Sequence, residues 1–114
     1  MPESMERGAL TEAVYYILLA LFRPLHGYGI MQYVSGISSG RVVLGPGTLY
    51  GAIGTMLEKG WIAAVPGEKD SRKKEYGITP LGREIVQGEM ARLQELLNNG
   101  EKVWGGTENG TQGI

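Results

Sequence analysis

Cysteine is absent from the 114 residues, which excludes a disulfide framework, a thiolate zinc site and a cysteine nucleophile. Histidine occurs once, as His26. A metal centre needs several ligands and none clusters with His26 in sequence, so a turn or capping role is expected, with no metal and no cofactor. Neither sign of charge is in excess: 11 Lys and Arg face 12 Asp and Glu, a net charge of −1. There is no global pull toward nucleic acid, and an anionic partner must be held by a local patch. Long apolar runs are missing too. The longest, "AVYYILLALF" at 13–22, falls well short of the ~20 residues that cross a bilayer. Glu12 precedes it and no small-residue cleavage site follows, so a cytoplasmic address without membrane contact is expected. No Ser/His/Asp set or close carboxylate pair occurs. The glycines of "GYGIMQ" and "GPGTLYG" lead into neither a Gly-Lys-Ser/Thr phosphate loop nor a dinucleotide fingerprint. No catalytic residues and no enzyme are expected.

What is present reads as one ordinary globular domain, 42% apolar and 20% charged. From Ala9 to Phe22 a helix is predicted, with Leu10, Val14, Ile17, Leu18 and Leu21 on one face and Tyr15, Leu19 and Phe22 widening it. A helix apolar nearly all round is buried on more than one side, which suggests that a second subunit covers part of it. "RPLHGYG" breaks the chain at Pro24 and Gly27. Ile30, Val34 and Ile37 then mark a short second helix, followed by an extended piece at Val42 to Leu44. Pro46 suits the first position of a third helix, where its missing N–H costs nothing, and Gly60 suits its end.

"WIAAV" and "KEYGIT" are short β-like runs separated by the charged turn "PGEKDSRK", together a hairpin with a long tip. Thr79 can cap the last helix, with Pro80 in its first turn. Val86, Met90, Leu93 and Leu97 then recur with heptad-like spacing, a seam of the kind that pairs with another helix. The expected organisation is a flexible N-terminus at 1–8, a winged helix-turn-helix DNA-binding domain at 9–79, a dimerisation helix at 80–104 and a disordered tail at 105–114. The fold class is mainly α with a small β-hairpin.

The third helix carries a peculiarity. Leu49, Ile53, Met56 and Leu57 form a core-facing stripe, while Gly47, Gly51 and Gly54 lie together on the opposite side with Thr55 and Glu58. Each glycine inside a helix costs roughly 0.5–1 kcal/mol relative to alanine. A face without side chains lets another backbone come close, and its helix N-terminus attracts phosphate. In a winged helix-turn-helix the third helix enters the major groove and the wing lies along the backbone. The alternative is that the glycines merely reflect a chain with 19 of them. On the DNA reading the contacts are Gly47, Thr48, Tyr50, Gly51 and Thr55 on the third helix, Tyr28 and Arg41 on or after the second, and a wing of Lys69, Arg72, Lys73, Lys74 and Tyr76. Solvated tip residues are the alternative for the basic cluster, diluted as it is by Glu68, Asp70 and Glu75. The dimer interface is expected at Leu18, Phe22, Val86, Met90, Leu93 and Leu97.

"HGYGI" (26–30), "GPGTLY" (45–50), "LEKGWI" (57–62) and "RKKEYGIT" (72–79), in that order, resemble the motifs of the PadR-like transcriptional regulators over roughly residues 9 to 97. The resemblance implies a homodimeric winged-helix repressor of the family's short-tailed branch, bound to a palindromic double-stranded operator. It also implies release by a small aromatic or amphipathic effector. Two other readings stay open. One is a winged-helix module that binds protein; the other is a ligand sensor with weak DNA affinity, favoured by the absence of basic side chains at Gly54 and Thr55.

Overall fold

The computed structural model describes residues 9–66 and 74–109, with side chains through Gly105. Helix α1 (Glu12–Ala20) begins where the Thr11 hydroxyl accepts the Val14 N–H at 3.1 Å. It is shorter than the apolar pattern suggests, because that cap fixes its start and Leu21 closes it. A two-residue strand β1 (Leu25–His26) follows. The sequence gives no sign of it, since two residues cannot show an alternating pattern; it exists because a neighbouring strand edge accepts it. Helix α2 (Gly27–Ile37) starts at once, and the His26 imidazole Nδ1 accepts the Gly29 N–H at 3.2 Å. The lone histidine is a helix cap.

Ser38 ends α2. Its buried hydroxyl donates to the Val34 carbonyl at 2.8 Å and accepts the Val42 N–H at 3.0 Å. Residues 42–44, expected to be extended, join no strand. Helix α3 (Pro46–Lys59) has Pro46 in its first turn and Gly60 in the left-handed conformation at its end, at φ 76°. Strands β2 (Ile62–Val65) and β3 (Glu75–Ile78) pair antiparallel in the register Ile62 with Ile78 and Val65 with Glu75. On the far side of β3, Leu25 faces Tyr76 and His26 faces Glu75, so the expected hairpin is a three-stranded sheet in the order β1-β3-β2.

Helix α4 (Pro80–Asn109) is capped by Thr79, whose hydroxyl accepts the Gly82 N–H at 3.0 Å. It continues through Gly105 to Asn109, past the end expected at residue 104. Glycine weakens a helix by ~1 kcal/mol but, unlike proline, removes no hydrogen bond. The expected flexible N-terminus at 1–8 and residues 110–114 of the expected tail lie outside the described residues.

Leu10–Val86 forms one compact unit, and the part of α4 from Gln87 onward belongs to another. The core of the first unit is built by Ile17 and Leu18 from α1 with Leu21 at its C-cap, Ile30 and Val34 from α2, and Leu49, Ile53 and Met56 from α3, closed by Ile62, Tyr76 and Val86. Leu57, on the flank of the α3 stripe, stays exposed. Tyr15, Tyr16 and Leu19 pack against this core from α1. A single chain therefore covers most of a helix whose apolar circumference had suggested a second subunit. Among the described residues no helix is long and apolar enough to cross a membrane.

Candidate nucleic-acid interface

The stripe that buries Leu49, Ile53 and Met56 turns the other side of α3 outward. Gly47, Thr48, Gly51, Gly54 and Thr55 are all exposed there. A β-carbon added at Gly47, Gly51 or Gly54 would meet nothing within 4 Å. Among the described residues these glycines therefore answer no packing need. At the N-terminus of the same helix Gly45 supplies no side-chain cap, and the first-turn N–H groups of Gly47 and Thr48 have no intrahelical acceptor by helix geometry. Thr55 lies one turn beyond Gly51, and its hydroxyl donates to the Gly51 carbonyl at 3.3 Å.

Tyr50 is half exposed. Its hydroxyl is turned back onto the start of α2, where a β-carbon on Gly27 would occupy the same space. Gly27 thus lets α3 approach α2 closely, and the ring of Tyr50 bridges the two helices at the surface. Tyr28, in the first turn of α2, is 62% exposed. Arg41 forms a two-pronged ion pair with Glu12 at the start of α1, its two guanidinium NH2 groups meeting the two carboxylate oxygens. The hydrogen bond from Arg41 holds the Glu12 carboxyl below its usual pKa, and Glu12 in turn raises that of the guanidinium. Both side chains remain largely exposed, so the pair adds little to stability. A phosphate contact by Arg41 requires it to exchange Glu12 for DNA. Glu12 is a residue that sequence reasoning missed, because 29 residues separate the pair.

In the wing, Lys74 is exposed just before β3, whereas Lys69, Arg72 and Lys73 lie outside the described residues. Tyr76 corrects an expectation. It is only 7% exposed and belongs to the core, because residues alternate across a strand and this one falls on the inner face of β3. It has no surface to offer to DNA.

Two expected dimer contacts are corrected for the same reason. Leu18 is fully buried and Val86 nearly so within their own unit, leaving no area to bury against a second chain. Phe22 is 44% exposed, with the Arg83 guanidinium 4.3 Å from its ring centroid. In the second unit Met90, Leu93 and Leu97 are exposed on α4, joined by Leu96, Val103 and Trp104.

Residues 16–88 match the transcriptional regulator PadR-like family. The chain belongs to that family. The PadR-like match takes in α2, α3, all three strands and the first turns of α4. Among curated proteins, the chain is 41% identical over 73 residues to an uncharacterized 37.1 kDa protein in transposon TN4556 of Streptomyces fradiae, covering 61% of this chain and 20% of that relative. It thus spans about one fifth of that protein's length. Among solved structures it is similar to a PadR family transcriptional regulator from Eggerthella lenta DSM 2243, with a TM-score of 0.67 at 20% identity over 91% of this chain and 88% of that one. It is also similar to NadR in complex with 4-hydroxyphenylacetate, with a TM-score of 0.62 at 16% identity over 90% of this chain and 68% of that one. The fold is the PadR-like winged helix, with α3 as its third helix and β2–β3 as the wing.

Proposed function

We propose that this PadR-like regulator is a sequence-specific DNA-binding repressor that acts as a homodimer on a palindromic operator. The observation that carries this reading is the outward face of α3, where three glycines leave open space along the third helix, the element that helix-turn-helix proteins set in the major groove. The wing supplies phosphate contacts through Lys74 and through Lys69, Arg72 and Lys73 of the same basic stretch of sequence. Met90, Leu93 and Leu97, exposed along α4, supply the seam for a second copy. Release by a small aromatic or amphipathic effector completes the proposal, supported by the aromatic acid held by the structural neighbour NadR.

The test is a salt series on DNA binding. Phosphate contacts weaken binding log-linearly with salt, with a slope of about −0.9 per neutralised phosphate. Arg72→Ala with Lys74→Ala should lower affinity alike for specific and random duplexes and flatten the slope by about one or two units. Binding of the wild type that is indifferent to salt would instead favour a protein-binding module. Unchanged slope and affinity in the double variant would remove the wing from the interface.

A further inference from the structure

From Gly45 to Leu57 the chain carries no Arg, Lys, Asn, Gln, Asp, Glu or His. The side chains that grip guanine or adenine bidentately, or that accept from cytosine, are therefore missing from three full turns of the helix directed into the groove. Over these turns α3 offers outward backbone, threonine and the half-exposed ring of Tyr50, and the charged side chains of Glu58 and Lys59 come only at its last two positions. Thr48, Gly51 and Thr55 stand at i, i+3 and i+7, along one face, and all are exposed. Gly51 has open space where a side chain would stand, so that a base edge can come close to the helix between the two threonines.

Thr55 gives this face its chemistry. Its hydroxyl is turned onto its own helix, donating to the Gly51 carbonyl at 3.3 Å. The γ-methyl is then the group left to face outward. Within the major groove the matching apolar feature is the C5-methyl of thymine, which no other base displays. We infer that α3 recognises thymine by methyl contact through Thr55, and not guanine or adenine by hydrogen-bonded pairs. The inference rests on the DNA-binding reading above and adds the base that the site selects.

The test uses the full chain and a duplex that it selects from a random-sequence pool. Each thymine is replaced in turn by deoxyuridine, which removes the methyl and leaves every hydrogen-bonding group in place. One contacted thymine per half-site should show affinity reduced about fourfold, the value of one buried methyl group. That thymine-to-uracil ratio should fall to one in Thr55→Ser, which keeps the hydroxyl, and persist in Thr55→Val, which keeps the methyl. A selected duplex insensitive to uracil everywhere, or a ratio that survives in Thr55→Ser, overturns the inference while DNA binding stands. A pool from which no duplex is enriched over random sequence overturns the specific DNA-binding reading itself, and the inference with it.

Discussion

Two glycines of this chain do opposite work, and a single methyl group tells them apart. Gly82, in the first turn of α4, is buried. A β-carbon there would run into the backbone carbonyl of Trp61 and come within 2.7 Å of the Ile78 side chain. Backbone cannot step aside as a flexible side chain can, so Gly82→Ala should destabilise the protein by about 1–3 kcal/mol, the usual cost of overpacking. Gly51 meets nothing within 4 Å, and Gly51→Ala should stabilise it by roughly 0.5–1 kcal/mol through helix propensity alone. Urea denaturation of the two variants is the check, and a destabilised Gly51→Ala would mean that its face is covered. Gly51→Glu goes further. It should fold as well as the wild type and lose operator binding, since it puts bulk and negative charge where DNA would lie. Native operator affinity in that folded variant would turn the glycine face away from the groove.

Among the elements, the junction after α3 sets how the wing is held. The Thr79 hydroxyl lies 2.6 Å from the Gly60 carbonyl and 3.0 Å from that of Trp61, and it accepts the Gly82 N–H. One side chain thus links the end of α3, the entry to β2 and the start of α4. The backbone repeats the connection, as the Thr79 N–H donates to the Trp61 carbonyl at 3.0 Å and the Ile78 N–H donates to the carbonyl of Leu21, just after α1, at 2.8 Å. Thr79→Val keeps the shape and removes the hydroxyl. It should cost about 0.5–2 kcal/mol, the range for a lost N-cap, and the threonine-like Thr79→Ser should recover most of it. Equal midpoints for valine and threonine would show that the backbone bonds suffice. The cap itself was legible, because Thr-Pro before an apolar-periodic run is a local signal. The carbonyls of Gly60 and Trp61 were not, since 18 or 19 residues separate them from Thr79.

At the scale of the whole molecule, the proposed function calls for a second copy. Leu18 and Val86 are consumed by the chain's own core, so the proposed dimer rests on the exposed Met90, Leu93 and Leu97 of α4. Leu93→Glu should leave the fold intact, because that side chain is already 40% exposed, and should convert a dimer to monomers by placing an unpaired carboxylate in the seam. Two-fold symmetry applies that penalty twice. A monomer also loses the advantage of holding two heads on one operator, so specific affinity should fall by about 10²-fold or more. Sedimentation beside a circular dichroism spectrum decides it. A wild type that already sediments as a monomer, or a folded variant that remains a dimer, would take the interface away from this seam.

Local physics, read from the sequence alone, determined the third helix from Pro46 to its glycine stop, the capped start of the last helix, the β2–β3 pairing and the outward set of glycines. Proline, glycine, threonine and apolar spacing act over a few residues, and each leaves its mark where it acts. The order of these elements was enough to reach the winged helix, and the motifs "HGYGI", "GPGTLY", "LEKGWI" and "RKKEYGIT" carried the resemblance to the PadR-like family. Tertiary structure alone decided the rest. It added β1, which is a strand only because β3 offers an edge, and it tied Arg41 to Glu12 across 29 residues. It also drew Tyr76, Leu18 and Val86 into the core. An apolar or aromatic side chain looks the same in sequence whether its own chain or another molecule covers it. Which of the two happens depends on how the elements pack, and that is a property of the folded chain.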